Sequence, residues 1–198
     1  MSAQPQSPQG GLPVPARREE VEGRQLVVFD GLLAPADLAR YVELLRRAPF
    51  TRTEIARPDT AEYRHWASEM ALPGLMQLPL WRATDLAVQA MRPDRRYRPY
   101  RAYTNYAAYG DMLFTHTDCL PEQDELTALW FLCETWDPEW GGETLFFDSR
   151  IEAQVVVSPR PGRLVIFDGA IRHAGKPPNR ICYAPRFTFA VKLERVPE

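Results

Sequence analysis

Lysine is almost missing from this chain. Of 24 basic residues, 22 are arginine, and only Lys176 and Lys192 are lysine. The arginine excess assigns no function by itself. With 26 acidic residues the net charge is −2, so there is no strong positive field of the kind that holds nucleic acid. Cysteine is sparse and odd in number: Cys119, Cys133 and Cys182. Three thiols cannot make a disulfide framework and fit a reducing compartment. No apolar run approaches the roughly 20 residues that cross a bilayer. The first residues, MSAQPQSPQGGLPVPARREE, contain no apolar core of a secretory signal. The expectation is a cytoplasmic protein with no nucleic-acid partner and no membrane partner. Nothing in the sequence fixes the oligomeric state.

What is present is the balance of a globular protein. The chain has 198 residues, 45% hydrophobic and 25% charged. That length suits one domain, which needs no disulfide staples to bury a core. Residues 1–22 begin with Pro5, Pro8, Pro13 and Pro15 among Gln, Ser and Gly. Such a stretch buries too little apolar surface to offset its ordering entropy, so a disordered tail is expected, with partner binding as the alternative. Residues 23–198 are expected to form the domain, with N-terminal helices over 23–99 and a β core over 100–195.

Gln25-Leu-Val-Val-Phe-Asp30 reads as a strand. Pro35 opens a helix over about 35–48, with Leu38, Tyr41, Val42 and Leu45 on one face and Pro49 as its stop. Residues 50–66 read as irregular. Leu80–Met91 reads as a second amphipathic helix. From about residue 100 the pattern changes to short β-rich runs: 103–109, 126–135, 144–147, 153–157, 163–167 and 186–193. Turn signals such as Gly110-Asp111, Gly141-Gly142 and Pro161-Gly162 separate them. That spacing indicates an antiparallel sandwich or barrel.

Histidine occurs three times, as His65, His116 and His173. His116-Thr117-Asp118 puts an imidazole and a carboxylate two residues apart, on one face of an extended segment. His173, from a distant strand, could complete a 2-His-1-carboxylate set, which leaves metal positions open for oxygen chemistry. A hydrogen-bonded structural His–Asp pair is the competing reading. Arg186-Phe-Thr-Phe-Ala-Val-Lys192 alternates, so Arg186 and Thr188 share a face. A buried guanidinium needs an anion, and either a dicarboxylate co-substrate or a nearby acidic side chain would satisfy it.

Residues 100–194 resemble the catalytic core of the Fe(II)/2-oxoglutarate-dependent dioxygenases, in their prolyl-hydroxylase-like branch. The resemblance is carried by Tyr106-Ala-Ala-Tyr-Gly-Asp ahead of His116-Thr-Asp118, then Trp130-Phe-Leu and Trp136-Asp-Pro-Glu-Trp-Gly-Gly-Glu143. It continues through Pro161-Gly-Arg-Leu-Val-Ile-Phe167, His173 and Arg186. It implies a mainly β fold, a double-stranded β-helix (jelly roll), with flanking N-terminal helices. It implies His116, Asp118 and His173 as Fe(II) ligands and as the catalytic set, with 2-oxoglutarate as co-substrate and O2 as oxidant. Arg186 matches the residue that grips the far carboxylate of 2-oxoglutarate, with Arg180 as a rival because Arg186 follows His173 at a longer interval than is usual. Tyr106 falls near the co-substrate. Phe131 stands where some relatives carry a tyrosine, and Thr188 is expected to supply that hydrogen bond instead. The retained Asp118 favours hydroxylation over halogenation.

The implied activity is hydroxylation of an unactivated C–H bond, releasing succinate and CO2. The expected substrate is a small molecule, such as an amino acid or natural-product intermediate. The alternatives are a peptidyl prolyl hydroxylase, a metal-dependent cupin-like enzyme, and a non-catalytic jelly-roll binding module. Tyr63, Arg64 and Trp66, in the irregular segment before the β core, are the expected substrate contacts, and His65 reads as an ordinary surface residue.

Overall fold

In the computed structural model, which describes residues 11–197, the chain is built round a large antiparallel sheet backed by helices. The strands are β1 (Arg17–Val21), β2 (Arg24–Phe29), β3 (Thr51–Glu54), β4 (His65–Met70), β5 (Tyr97–Ala107) and β6 (Glu125–Phe131). They continue with β7 (Thr144–Phe147), β8 (Ala153–Val157), β9 (Arg163–Asp168), β10 (Arg172–Gly175) and β11 (Arg186–Arg195). Eight of them form one sheet in the order β1-β2-β9-β6-β11-β5-β4-β3, and three form a second sheet, β10-β7-β8. The two sheets face each other as a jelly roll.

Strict alternation along the central strands divides the core in two. On β11, Phe187, Phe189, Val191 and Leu193 point outward with Trp130 of β6 and Leu164 of β9, against the helices. Helix α1 (Pro35–Arg46) supplies Leu38, Tyr41 and Val42 to this layer, and α3 (Pro79–Met91) supplies Leu80, Ala87, Val88 and Met91. A short helix, α2 (Leu72–Leu75), adds Leu75. On the inner face, Leu129 and Phe131 of β6, Val165 and Phe167 of β9 and Phe146 of β7 fill the space between the sheets. Burying each such side chain contributes about 1.5–3 kcal/mol. The outer layer includes one internal polar pair. The Trp130 Nε1–H donates to Thr84 Oγ1 at 2.9 Å, and that hydroxyl donates to Leu80 O at 2.8 Å, so no buried donor is left over.

Both expected helices form, at 35–46 and 79–91. The N-terminal half departs from expectation, because it is not only helical. Residues 1–10 lie outside the described residues, but the rest of the expected tail is ordered: β1 spans 17–21 and adds an edge strand to β2. Glu22 and Gly23, both at positive φ (49° and 80°), make the two-residue turn between them. The stretch read as irregular contains β3 and the first two residues of β4, and these strands extend the same sheet beyond β5. Their sequences, TRTE and HWASEM, carry few β-branched residues, and pairing with β5 overrides that weak local preference.

Candidate active site

The open space lies between the inner face of the large sheet and β10. His116 sits in the segment after β5, and a two-bond bridge ties it to His173 of β10. His116 N donates to His173 O at 3.0 Å, and His173 N donates to His116 O at 2.9 Å. Asp118 N donates to Gly169 O at 2.7 Å, which fixes the carboxylate beside them. The three ligand atoms lie within 4.8 Å of one another. His116 Nε2 is 3.4 Å from Asp118 Oδ1, and His173 Nε2 is 3.6 Å from Asp118 Oδ2.

Each imidazole is oriented by the carbonyl two residues before it. His116 Nδ1 meets Phe114 O at 3.0 Å, and His173 Nδ1 meets Ile171 O at 2.9 Å. With Nδ1–H donating there, both Nε2 lone pairs face the carboxylate, as a metal-binding histidine pair requires. Burial pushes the His173 imidazole down to about 3, with the His116 and Lys192 charges acting in the same direction and Asp118 opposing. It is therefore neutral, the form that binds metal. Burial alone would raise the Asp118 carboxyl. The Lys192 ammonium and the two imidazoles outweigh it and hold the group well below the usual range. A carboxylate and two imidazoles on one side of a common centre are a facial triad that fits Fe(II).

Arg186 lies on the same inner face and is buried. Nε donates to Gly142 O at 2.6 Å, Nη2 to Thr144 Oγ1 at 3.0 Å and Nη1 to Thr188 Oγ1 at 3.4 Å. Among the described residues no carboxylate forms an ion pair with it. Burial lowers its pKa to about 10, with Glu143 opposing. The cradle is cut close. A Cβ on Gly175 would come within 3.2 Å of Nη2, and one on Gly142 within 3.3 Å of Cδ. Gly142 also has φ +82°, so glycine is required there twice over. A cavity of about 50 Å³ runs from the triad to this guanidinium, and Thr188 lines it.

The structure therefore brings His116, Asp118, His173, Arg186 and Thr188 together. It separates the other expected residues. Tyr106 pairs with Phe187 across β5 and β11, whereas Asn105 pairs with Thr188 and Ala107 with Arg186. Tyr106 is thus on the outer face, packed against Phe50 and Phe187, and does not reach the co-substrate space. Trp66 shares its outer groove, with Arg52 over its ring at 5.3 Å. Tyr63 is exposed and packs on Phe114, and Arg64 donates to Ala61 O at the surface. None of Tyr63, Arg64 and Trp66 lines the triad cavity. Arg180 is on the exposed loop between β10 and β11. His65, by contrast, is buried and lines the cavity, with Nδ1 lacking a partner. Parity within β4 makes the choice: His65 and Ala67 face inward, and Trp66 faces outward. Sequence reasoning also missed Lys192, Tyr103 and Asn105 in the cavity wall. The signal for Lys192 was present, since it has the same strand parity as Arg186 and Thr188.

Comparison with known proteins agrees with this site. Residues 102–191 match the family model described as the 2OG-Fe(II) oxygenase superfamily. No curated protein sequence matches the chain. Among solved structures, a Pseudomonas putida prolyl-4-hydroxylase is 17% identical with a TM-score of 0.59, covering 86% of this chain and 92% of its own. A Trichoplax adhaerens prolyl hydroxylase, in complex with a hypoxia inducible factor peptide fragment, is 14% identical with a TM-score of 0.63, covering 85% and 83%. HygX from Streptomyces hygroscopicus, with nickel and 2-oxoglutarate bound, is 14% identical with a TM-score of 0.59, covering 85% and 82%. Identities this low speak to the shared fold. The match over residues 102–191, with the His116-Asp118-His173 triad inside it, makes this stretch similar to the 2OG-Fe(II) oxygenase superfamily, whose members use Fe(II), 2-oxoglutarate and O2.

Proposed function

We propose that the protein hydroxylates an unactivated C–H bond of a small molecule, such as an amino acid or natural-product intermediate, in the cytoplasm. The observation that carries the co-substrate assignment is the Arg186 guanidinium, buried and without a carboxylate partner among the described residues, at the far end of the triad cavity. A buried cation in that state calls for an anion. The far carboxylate of 2-oxoglutarate satisfies it, with the Thr188 hydroxyl beside it. His116, Asp118 and His173 hold the metal. When bound, Fe(II) with 2-oxoglutarate and O2 would supply the activated oxidant for C–H cleavage, one oxygen atom going to succinate, released with CO2, and the other to the product. The protein positions the reactants and excludes water.

A compact substrate is supported by how the mouth is closed. Tyr63 packs on Phe114 with ring centroids 5.4 Å apart, and the Arg57 guanidinium lies over the same ring and donates to Thr115 O. The segment carrying Ile55 and Ala56 therefore folds onto the segment leading to His116, and both line the narrow cavity. A peptidyl substrate is the second reading, favoured by the fold shared with prolyl hydroxylases. The deciding experiment incubates the iron-loaded protein with 2-oxoglutarate and either free amino acids or proline-containing peptides. Succinate release and a product heavier by one oxygen are measured. Stimulation by free amino acids supports the proposal. Stimulation by peptides alone overturns the small-molecule assignment.

A further inference from the structure

Lys192 is one of two lysines in a chain that otherwise uses arginine, and it is buried on the inner face of β11. Its register partner on β6 is Thr127. The Lys192 ammonium donates to Asp118 Oδ2. Thr127 Oγ1 donates to the same oxygen at 2.5 Å, and Lys192 Nζ also reaches Thr127 Oγ1 at 3.2 Å. Two donors thus converge on Oδ2, and neither touches Oδ1. The side chains of Lys192 and Asp118 are 8% and 7% exposed, so water does not screen the contact.

We infer that Lys192 is a positioning residue that, with Thr127, occupies Oδ2 of Asp118 and leaves Oδ1 as the single carboxylate donor to the metal. The choice of lysine follows from geometry. An ammonium is a compact point charge that can seat on one oxygen beside a hydroxyl, whereas a guanidinium presents five N–H groups in a rigid fork and would span both oxygens. A carboxylate held in this way cannot chelate with both oxygens. The metal therefore keeps the open positions that a two-point chelator such as 2-oxoglutarate needs. The arrangement also places a fixed positive charge near a divalent cation, which weakens metal binding by direct repulsion. Lys192 trades metal affinity for co-substrate access.

This inference rests on the iron and 2-oxoglutarate reading of the site, and the test separates the two. Purified wild type, Lys192→Met and Thr127→Val are titrated with Co(II). Each Co(II)-loaded protein is then titrated with 2-oxoglutarate by calorimetry, and metal coordination is followed by X-ray absorption. Lys192→Met is expected to bind Co(II) about tenfold more tightly or better, because the repulsion is gone and Oδ2 is free. It is expected to bind 2-oxoglutarate about tenfold more weakly, with an added oxygen donor at the metal. Thr127→Val shifts both quantities the same way by a smaller factor, and it decides the matter should Lys192→Met not fold. Opposite shifts are not what a general loosening of the site produces, since that weakens both ligands together. Parallel weakening, or changes under about threefold in both, overturns the role of Lys192. Failure of the wild type itself to bind Co(II) defeats the metal-site reading instead.

Discussion

At the scale of single residues, the site works through which atom of each side chain is already engaged. Phe114 O and Ile171 O take Nδ1 of the two histidines, and this leaves Nε2 as the free donor on each ring. His173→Ala removes one of three ligands. It is expected to lower metal affinity by more than the roughly 10–100-fold that follows loss of an outer hydrogen bond, as read by Co(II) titration. Arg186→Ala removes the buried cation at the far end of the cavity. Hydrogen bonds to charged groups contribute about 1.5–3 kcal/mol, so 2-oxoglutarate affinity is expected to fall roughly 10- to 100-fold while Co(II) affinity is retained. Unchanged co-substrate binding in calorimetry would mean that the guanidinium serves the fold alone. The His–Asp spacing and the Arg–Thr alternation made His116, Asp118, Arg186 and Thr188 candidates in the sequence, and the family resemblance gave them and His173 their roles. The family resemblance set Tyr106 near the co-substrate, while strand register, which depends on the partner β11, turns it outward.

At the scale of elements, β11 does two jobs by alternation. Its odd-numbered residues Phe187, Phe189, Val191 and Leu193 anchor the helical layer, and Arg186, Thr188 and Lys192 line the reaction space. A strand buried on both faces is rigid, which suits a surface that must hold charged groups in place. The helices back this sheet through packing and through the Trp130–Thr84–Leu80 relay. Thr84→Val keeps the shape and strands the Trp130 indole N–H. It is expected to cost about 1–3 kcal/mol of stability in urea unfolding, with 2-oxoglutarate affinity unchanged. The positions of α1 and α3 were readable because proline starts and apolar spacing are local signals. The edge strand β3 and its neighbour β4 were not, since such polar sequences become strands only when a neighbour offers its hydrogen bonds. His65 entered the site as a consequence of that pairing.

At the scale of the whole molecule, a buried neutral imidazole couples stability to pH. In the metal-free protein the His173 imidazole is held down to about 3, chiefly by burial. The unfolded chain takes up a proton near pH 6.5, and the folded chain does not. Below that pH the unfolded state binds more protons, so stability falls as pH falls, until the folded group also titrates near 3. His65, lowered by burial as well, acts in the same direction. The expected loss for His173 is about 2 kcal/mol between pH 7 and pH 5, measurable by denaturant midpoints. Co(II) should oppose it at fixed pH by binding the folded state alone. A metal-free protein equally stable at pH 5 and pH 7 would contradict the burial of this histidine.

The sequence by itself determined the β-rich character of the core and the two helices, because these rest on short-range periodicity, and it offered His116, Asp118, His173, Arg186 and Thr188 as candidates through their chemical types and the family resemblance. Tertiary structure decided which faces of β4 and β5 look inward, that Arg17–Val21 close one edge of the sheet, and that Lys192 meets Asp118. Those facts depend on register between strands far apart in the chain. A shift of one residue in pairing turns every side chain over, and no local run of residues encodes it.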